Sequence, residues 1–101
     1  MALVFIMEQN WEKEVDNFHK IIRSNIKKIR IQKKETQLNI GLAIGHASAS
    51  FYAKAEIGFE NKKFSIDHLY KIAKVLNVDI CDFFQDIHTK QCEDDKHYLS
   101  I

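Results

Sequence analysis

The chain has 101 residues, 46% apolar and 29% charged, which suits one folded domain with short extensions and excludes a disordered or membrane-embedded chain. The longest early apolar run, Ala2–Met7, is too short to span a bilayer and lacks a basic leader and a small-residue cleavage site. A soluble, cytoplasmic protein without a membrane partner is therefore expected. The net charge of +1 hides a strong segregation. Residues 20–63 carry ten Lys or Arg against Glu35, Glu56 and Glu60, while residues 1–19 and 79–101 are net acidic. A basic centre between acidic ends points to a polyanionic partner for the middle, set against the alternative of an ordinary solvated surface.

There is no proline, and the only glycines are Gly41, Gly45 and Gly58, so helices can run long and the glycines become punctuation. Trp11, Val15, Phe18, Ile22, Ile26 and Ile29 recur at three- and four-residue spacing and predict an amphipathic helix, continuous or broken near Asn17. Thr36 supplies an N-cap hydroxyl for a second helix that Gly45 ends. Ser48 starts a third that runs to about Ile57, closed by Gly58. Ser65 caps a fourth, whose stripe Ile66, Leu69, Ile72, Ala73 and Leu76 ends at Asn77. Asp79 is placed to cap a last turn carrying Ile80, Phe83 and Phe84. No strand-like alternation of useful length is present. The expected fold is all-α, a bundle of about five helices containing a helix-turn-helix near residues 36–57. It divides into a partly helical extension at 1–19, a domain at 20–86 and a polar tail at 87–101.

The order of these pieces resembles the Cro/C1-type, or XRE, helix-turn-helix family across Ile21 to Phe84. Ile26-Lys27-Lys28-Ile29-Arg30 resembles the family's first helix, and Thr36-Gln37 with Ile40 and Gly41 resembles the start of its second. Gly45 matches the turn glycine, and Glu56-x-Gly58 matches the end of the recognition helix. Leu69-x-x-Ile72-Ala73-x-x-Leu76-Asn77-Val78 with Phe83-Phe84 resembles the last two helices. Three departures stand out. There is one extra residue between Gly45 and Glu56, placed at His46-Ala47. There are two extra residues between Gly58 and Ser65, where Phe64 replaces a proline. Gly41 stands in place of an alanine, and close helix packing is expected to survive that change at some loss of helix propensity.

The resemblance implies DNA contacts by the third helix. Ser48 is expected as its N-cap, with Ala49, Ser50, Phe51, Ala53 and Lys54 facing outward and Tyr52 and Ala55 inward. Ser50 suits either base type, Ala49 or Phe51 a thymine methyl, and Lys54 a guanine or a phosphate. Gln37 is expected to place its amide on a phosphate, with helix stabilisation as its alternative role. Lys62 and Lys63 are expected as flanking phosphate clamps, and Asn61, Arg23 and Lys34 as weaker contacts. Glu56 is read as the internal partner of a first-helix base. A face without Arg or Gln implies modest direct readout.

These features predict a sequence-specific regulator that binds a palindromic double-stranded operator as a homodimer. Controller proteins of restriction–modification systems are a similar subtype, and an antitoxin-like module binding a protein partner is the alternative. The dimer surface is placed at Phe83, Phe84 and Ile87, joined by Tyr98, Leu99 and Ile101, or else at Ala2–Met7. Neither catalysis nor a cofactor is expected, because no nucleophile–base pair or phosphate-cradling loop stands at a recognisable spacing. His88, Cys92 and His97 fit no standard zinc spacing, and Cys81 and Cys92 read as reduced spectators.

Overall fold

The computed structural model describes residues 2–89, with side chains described from Trp11 onward. The fold is all-α, without strands among the described residues. It comprises α1 (Ala2–Gln32), α2 (Gln37–Ala43), α3 (Ser50–Ile57) and α4 (Ile66–Leu76), with short 3₁₀ turns at Phe59–Asn61 and Ile80–Phe84. The N-terminal periodicity therefore resolves into one continuous helix of 31 residues, about 46 Å at 1.5 Å per residue. Among its described side chains, those of the later turns enter the core. Ile22 and Ile26 are buried and Phe18 and Ile29 partly so, whereas Trp11 and Val15 are 56% and 49% exposed. The apolar stripe thus outruns the body it packs against.

The caps explain where the elements stop. Thr36 accepts a hydrogen bond from the Asn39 amide, and Ser65 accepts one from His68, whose Nδ1 in turn accepts from the Ser65 amide. At the end of α2 the amides of Gly45 and His46 donate to the carbonyls of Leu42 and Gly41, a closure that needs the left-handed conformation found at Gly45. Asn77 closes α4 in the same manner, and Lys34 closes α1 with φ 57° despite its Cβ. Asp79 makes no side-chain cap. The last turn is held instead by its backbone and by the Asn25 amide, which donates to the carbonyls of Phe83 and Gln85 at 3.0 Å each.

Ile26, Ile40, Tyr52, Ile72 and Phe83 are the largest fully buried side chains, one each from α1, α2, α3, α4 and the last turn. Each of the four helices, and the last turn, therefore contributes to one core. Gly41 sits where α2 meets the turn before α3. A Cβ there would lie 2.6 Å from the Ser48 carbonyl oxygen and 3.2 Å from Ala49 Cα. Close packing at Gly41 agrees with expectation, but here it depends on the glycine. The backbone of the longer turn crosses the space that an alanine methyl would occupy, so the extra residue and the missing methyl belong together.

Candidate nucleic-acid interface

The third helix begins later than its sequence suggested. It starts at Ser50 with Ala49 as a cap that makes no side-chain bond, and the Ser48 hydroxyl accepts from the Ser50 amide within the turn. The orientation of the helix agrees with expectation. Tyr52 and Ala55 are buried, Ser48 and Ser50 are exposed, and Ala49, Ala53 and Lys54 are half-buried. Phe51 departs from its expected outward role. It stacks on His46 at 4.5 Å with rings 9° apart, approaches His68 at 5.1 Å, and packs on the core. Lys54 is drawn sideways to Glu60 at 3.1 Å and over the Phe59 ring. The outer face of α3 is therefore small, with the hydroxyl of Ser50 as its main free polar group.

Behind that face, Glu56 is the one buried charged residue of the described core. It accepts from Arg30 Nε at 2.8 Å and from a terminal Arg30 nitrogen at 3.2 Å, from Tyr52 Oη at 2.5 Å and from Gln37 Nε2 at 3.1 Å. The expected ion pair with a first-helix base is therefore present, and it joins α1, α2 and α3. Burial pushes the Glu56 carboxyl upward, but the hydrogen bonds from Arg30 and Tyr52 outweigh burial and hold it below the usual carboxylate range. Tyr52 is pushed upward by burial and by the Glu56 carboxylate. Gln37, expected on a phosphate, instead gives its side-chain donor to this carboxylate.

Arg23, Lys62 and Lys63 come together beside α3, although they are separated in sequence, and His19 joins them. The Arg23 guanidinium lies against Gly58, where a Cβ would come within 2.8 Å of it. Glu60 and Asn61 adopt φ of 54° and 58°. Two successive left-handed non-glycine residues in the segment lengthened before Ser65 turn the chain back, so that Lys62 and Lys63 face α1. Asn61 and the single acid Asp16 border the same groove. Among the described residues none of these three cations has an ion-pair partner. His19 is held below its ordinary value by burial and by the charges of Lys63 and Arg23, with Asp16 opposing. Its membership could have been read from sequence, since it stands four residues before Arg23 and so on the same helix face. Lys34, just beyond α1, is exposed, and the end of the helix it follows is about 13 Å of helix rise from Arg23.

At the other end of the chain, Phe83 is fully buried and has no surface left for a partner. The expected place of Phe83 on a dimer surface is thereby corrected, because α1 and α4 cover that ring. Phe84 and Ile87 are half-buried, and Phe84 meets Phe18 at 6.3 Å between ring centroids. Cys81 is free and exposed, and among the described residues no group of His, Cys, Asp or Glu is arranged to hold a metal. Tyr98, Leu99, Ile101, Cys92 and His97 lie outside the described residues, as do the side chains of Ala2–Met7. Among the described residues no helix is long and apolar enough to cross a membrane.

Comparison with known proteins finds no match. No family model, curated protein or solved structure is similar to this chain.

Proposed function

We propose that this protein is a small cytoplasmic DNA-binding regulator, with α2 and α3 acting as a helix-turn-helix of Cro/C1 type and α3 entering the major groove. The observation that carries this reading is the group Arg23, Lys62 and Lys63, brought from two distant segments to the flank of α3 and left without acidic partners among the described residues. Cations held this way suit phosphates on either side of a groove. The small outer face of α3 lets its backbone approach base edges, with Ser50 available for hydrogen bonding. Phe51 is removed from direct readout by its histidine stack, and Lys54 is partly neutralised by Glu60. Affinity would thus come mainly from phosphates and from the shape of the duplex. Pairing of two copies would double the contacts and set two α3 helices about 34 Å apart on a palindromic site.

Selection of bound duplexes from a random pool, followed by comparison of Ser50→Ala with Lys63→Ala, tests this reading. Lys63→Ala is expected to weaken selected and random DNA alike, and Ser50→Ala to weaken the selected site more. Enrichment of no sequence would contradict specific binding.

A second reading, a module that binds a protein partner, is supported by exposed apolar pairs one helical turn apart. Leu38 and Leu42 on α2 are 49% and 50% exposed, and Trp11 and Val15 form a similar pair on α1. A stoichiometric protein copurifying from the native host would favour it.

A further inference from the structure

A hollow of about 260 Å³ lies between α1, α3 and α4, directly behind the basic group. Its floor is apolar: Ile22, Phe64 and Leu69 are buried at 4%, 8% and 7% exposure, and Phe18 closes one side. His19, Arg23, Lys62 and Lys63 line this hollow and also line the polar groove of about 250 Å³ that runs on to Gly58 and Asn61. The two spaces therefore meet at a basic rim; no acid lines the hollow itself, Asp16 borders the outer groove, and Glu12 and Asp16 flank Lys63 on its far side.

From this juxtaposition we infer that the hollow is a binding site for a small amphipathic carboxylate, whose apolar body fills the space and whose carboxylate sits on the rim. At about 30 Å³ for each water-sized group, the hollow holds an apolar body of roughly eight or nine non-hydrogen atoms. The charge of the rim chooses the head group. The Arg23 fork matches the geometry of a carboxylate, and Lys62 and Lys63 add point charges that a neutral or cationic head could not use. The apolar floor adds affinity only for an acid with an apolar body, since a free inorganic anion could use the rim alone. The rim cations are also those assigned above to DNA phosphate, so occupancy and DNA binding exclude one another. This second part rests on the proposed function. The ligand site itself does not.

Calorimetric titration of the full chain with sodium octanoate, without DNA, tests the site. One octanoate is expected per chain, with octylammonium and acetate each binding at least about tenfold more weakly, since each lacks one half of the match. Lys63→Glu, at an exposed position, is expected to weaken octanoate by about tenfold or more while the helical circular dichroism is unchanged. Equal binding of octanoate and octylammonium, no binding of either, or an unaltered Lys63→Glu would overturn the site. A separate titration of labelled duplex tests the antagonism. Octanoate should raise the apparent Kd for DNA in proportion to its concentration without levelling off, and DNA should reciprocally raise that for octanoate. Octanoate that binds without moving the DNA affinity overturns the competition. Failure of the ligand-free protein to bind any duplex overturns the DNA reading, while octanoate binding in the calorimeter still decides the hollow.

Discussion

Two charged regions flank α3, and they treat their charge in opposite ways. On one side Glu56 is enclosed and receives hydrogen bonds from Arg30, Tyr52 and Gln37, so every charge there has an internal partner. On the other, Arg23, Lys62 and Lys63 stand at a groove lined by one acid, Asp16, with Glu12 also near Lys63, and make no ion pair among the described residues. Arg30 on the first side enters a count of basic residues in the same way as each of the three cations on the second. The difference shows that such a count mixes charge consumed by folding with charge available to a ligand, and that only geometry separates them.

The comparison predicts that substitutions on the two sides fail in different assays. Glu56→Ala should have the largest effect, destabilising the fold by about 3 kcal/mol in urea unfolding. It strips the half-buried Arg30 guanidinium of its partner and leaves the donors of Tyr52 and Gln37 without an acceptor. A loss below about 1 kcal/mol would show the network to be ornamental. Gly41→Ala should come next. Helix propensity favours alanine by about 1 kcal/mol, but the 2.6 Å approach of the Ser48 carbonyl forces the turn to move. A net destabilisation of about 1–2 kcal/mol is expected, and a stabilised variant would show that the turn yields freely.

On the groove side, Lys63→Ala should leave stability within about 0.5 kcal/mol of the parent while lowering DNA affinity about fivefold at moderate salt. Loss of stability without loss of affinity would assign Lys63 to the structural side. The smallest effect concerns pH. His68 is held below its ordinary value by burial and by His46 and Lys71, with Asp67 opposing, and His19 is lowered as well. The unfolded chain therefore binds more protons than the folded one just beneath the ordinary histidine value. The contribution of these rings is complete above about pH 6.5 and fades as pH falls through the lowered values. Glu56, held low, titrates only at more acidic pH, so unfolding free energies at about pH 7.5 and 5.5 should isolate the histidines, with the lower value at the acidic end. No difference would show that the rings contribute nothing to stability.

Much of this fold was legible in the sequence because its signals are local. Thr36, Gly45, Gly58, Ser65 and Asn77 each act within a few residues of themselves, and each ends or begins a helix within a residue of its expected place. The buried side of α3 was legible from helical period, and an internal first-helix base for Glu56 from its opposite charge, but that this base is Arg30, 26 residues away, was not. What was hidden depends on distant chain. Gln37 faces Glu56, nineteen residues away, rather than solvent. Phe51 is captured by His46 from the turn and His68 from the next helix, a trio that no periodicity announces. Phe83 is buried because α1 extends over it, and the hollow exists only where α1, α3 and α4 fail to close. The link between the longer turn and Gly41 likewise appears only once the backbone is in place.

The central claim is that the Arg23, Lys62 and Lys63 side is spare charge held for phosphate. It is tested most directly by the salt dependence of duplex binding for the parent and for an Arg23→Gln, Lys62→Gln, Lys63→Gln triple variant. For a dimer, the slope of log affinity against log salt is expected at roughly −4 to −8, with most of it, up to about 5, lost in the variant as six cations are removed. A parent slope near zero, or an unchanged slope in a folded variant, would contradict the claim.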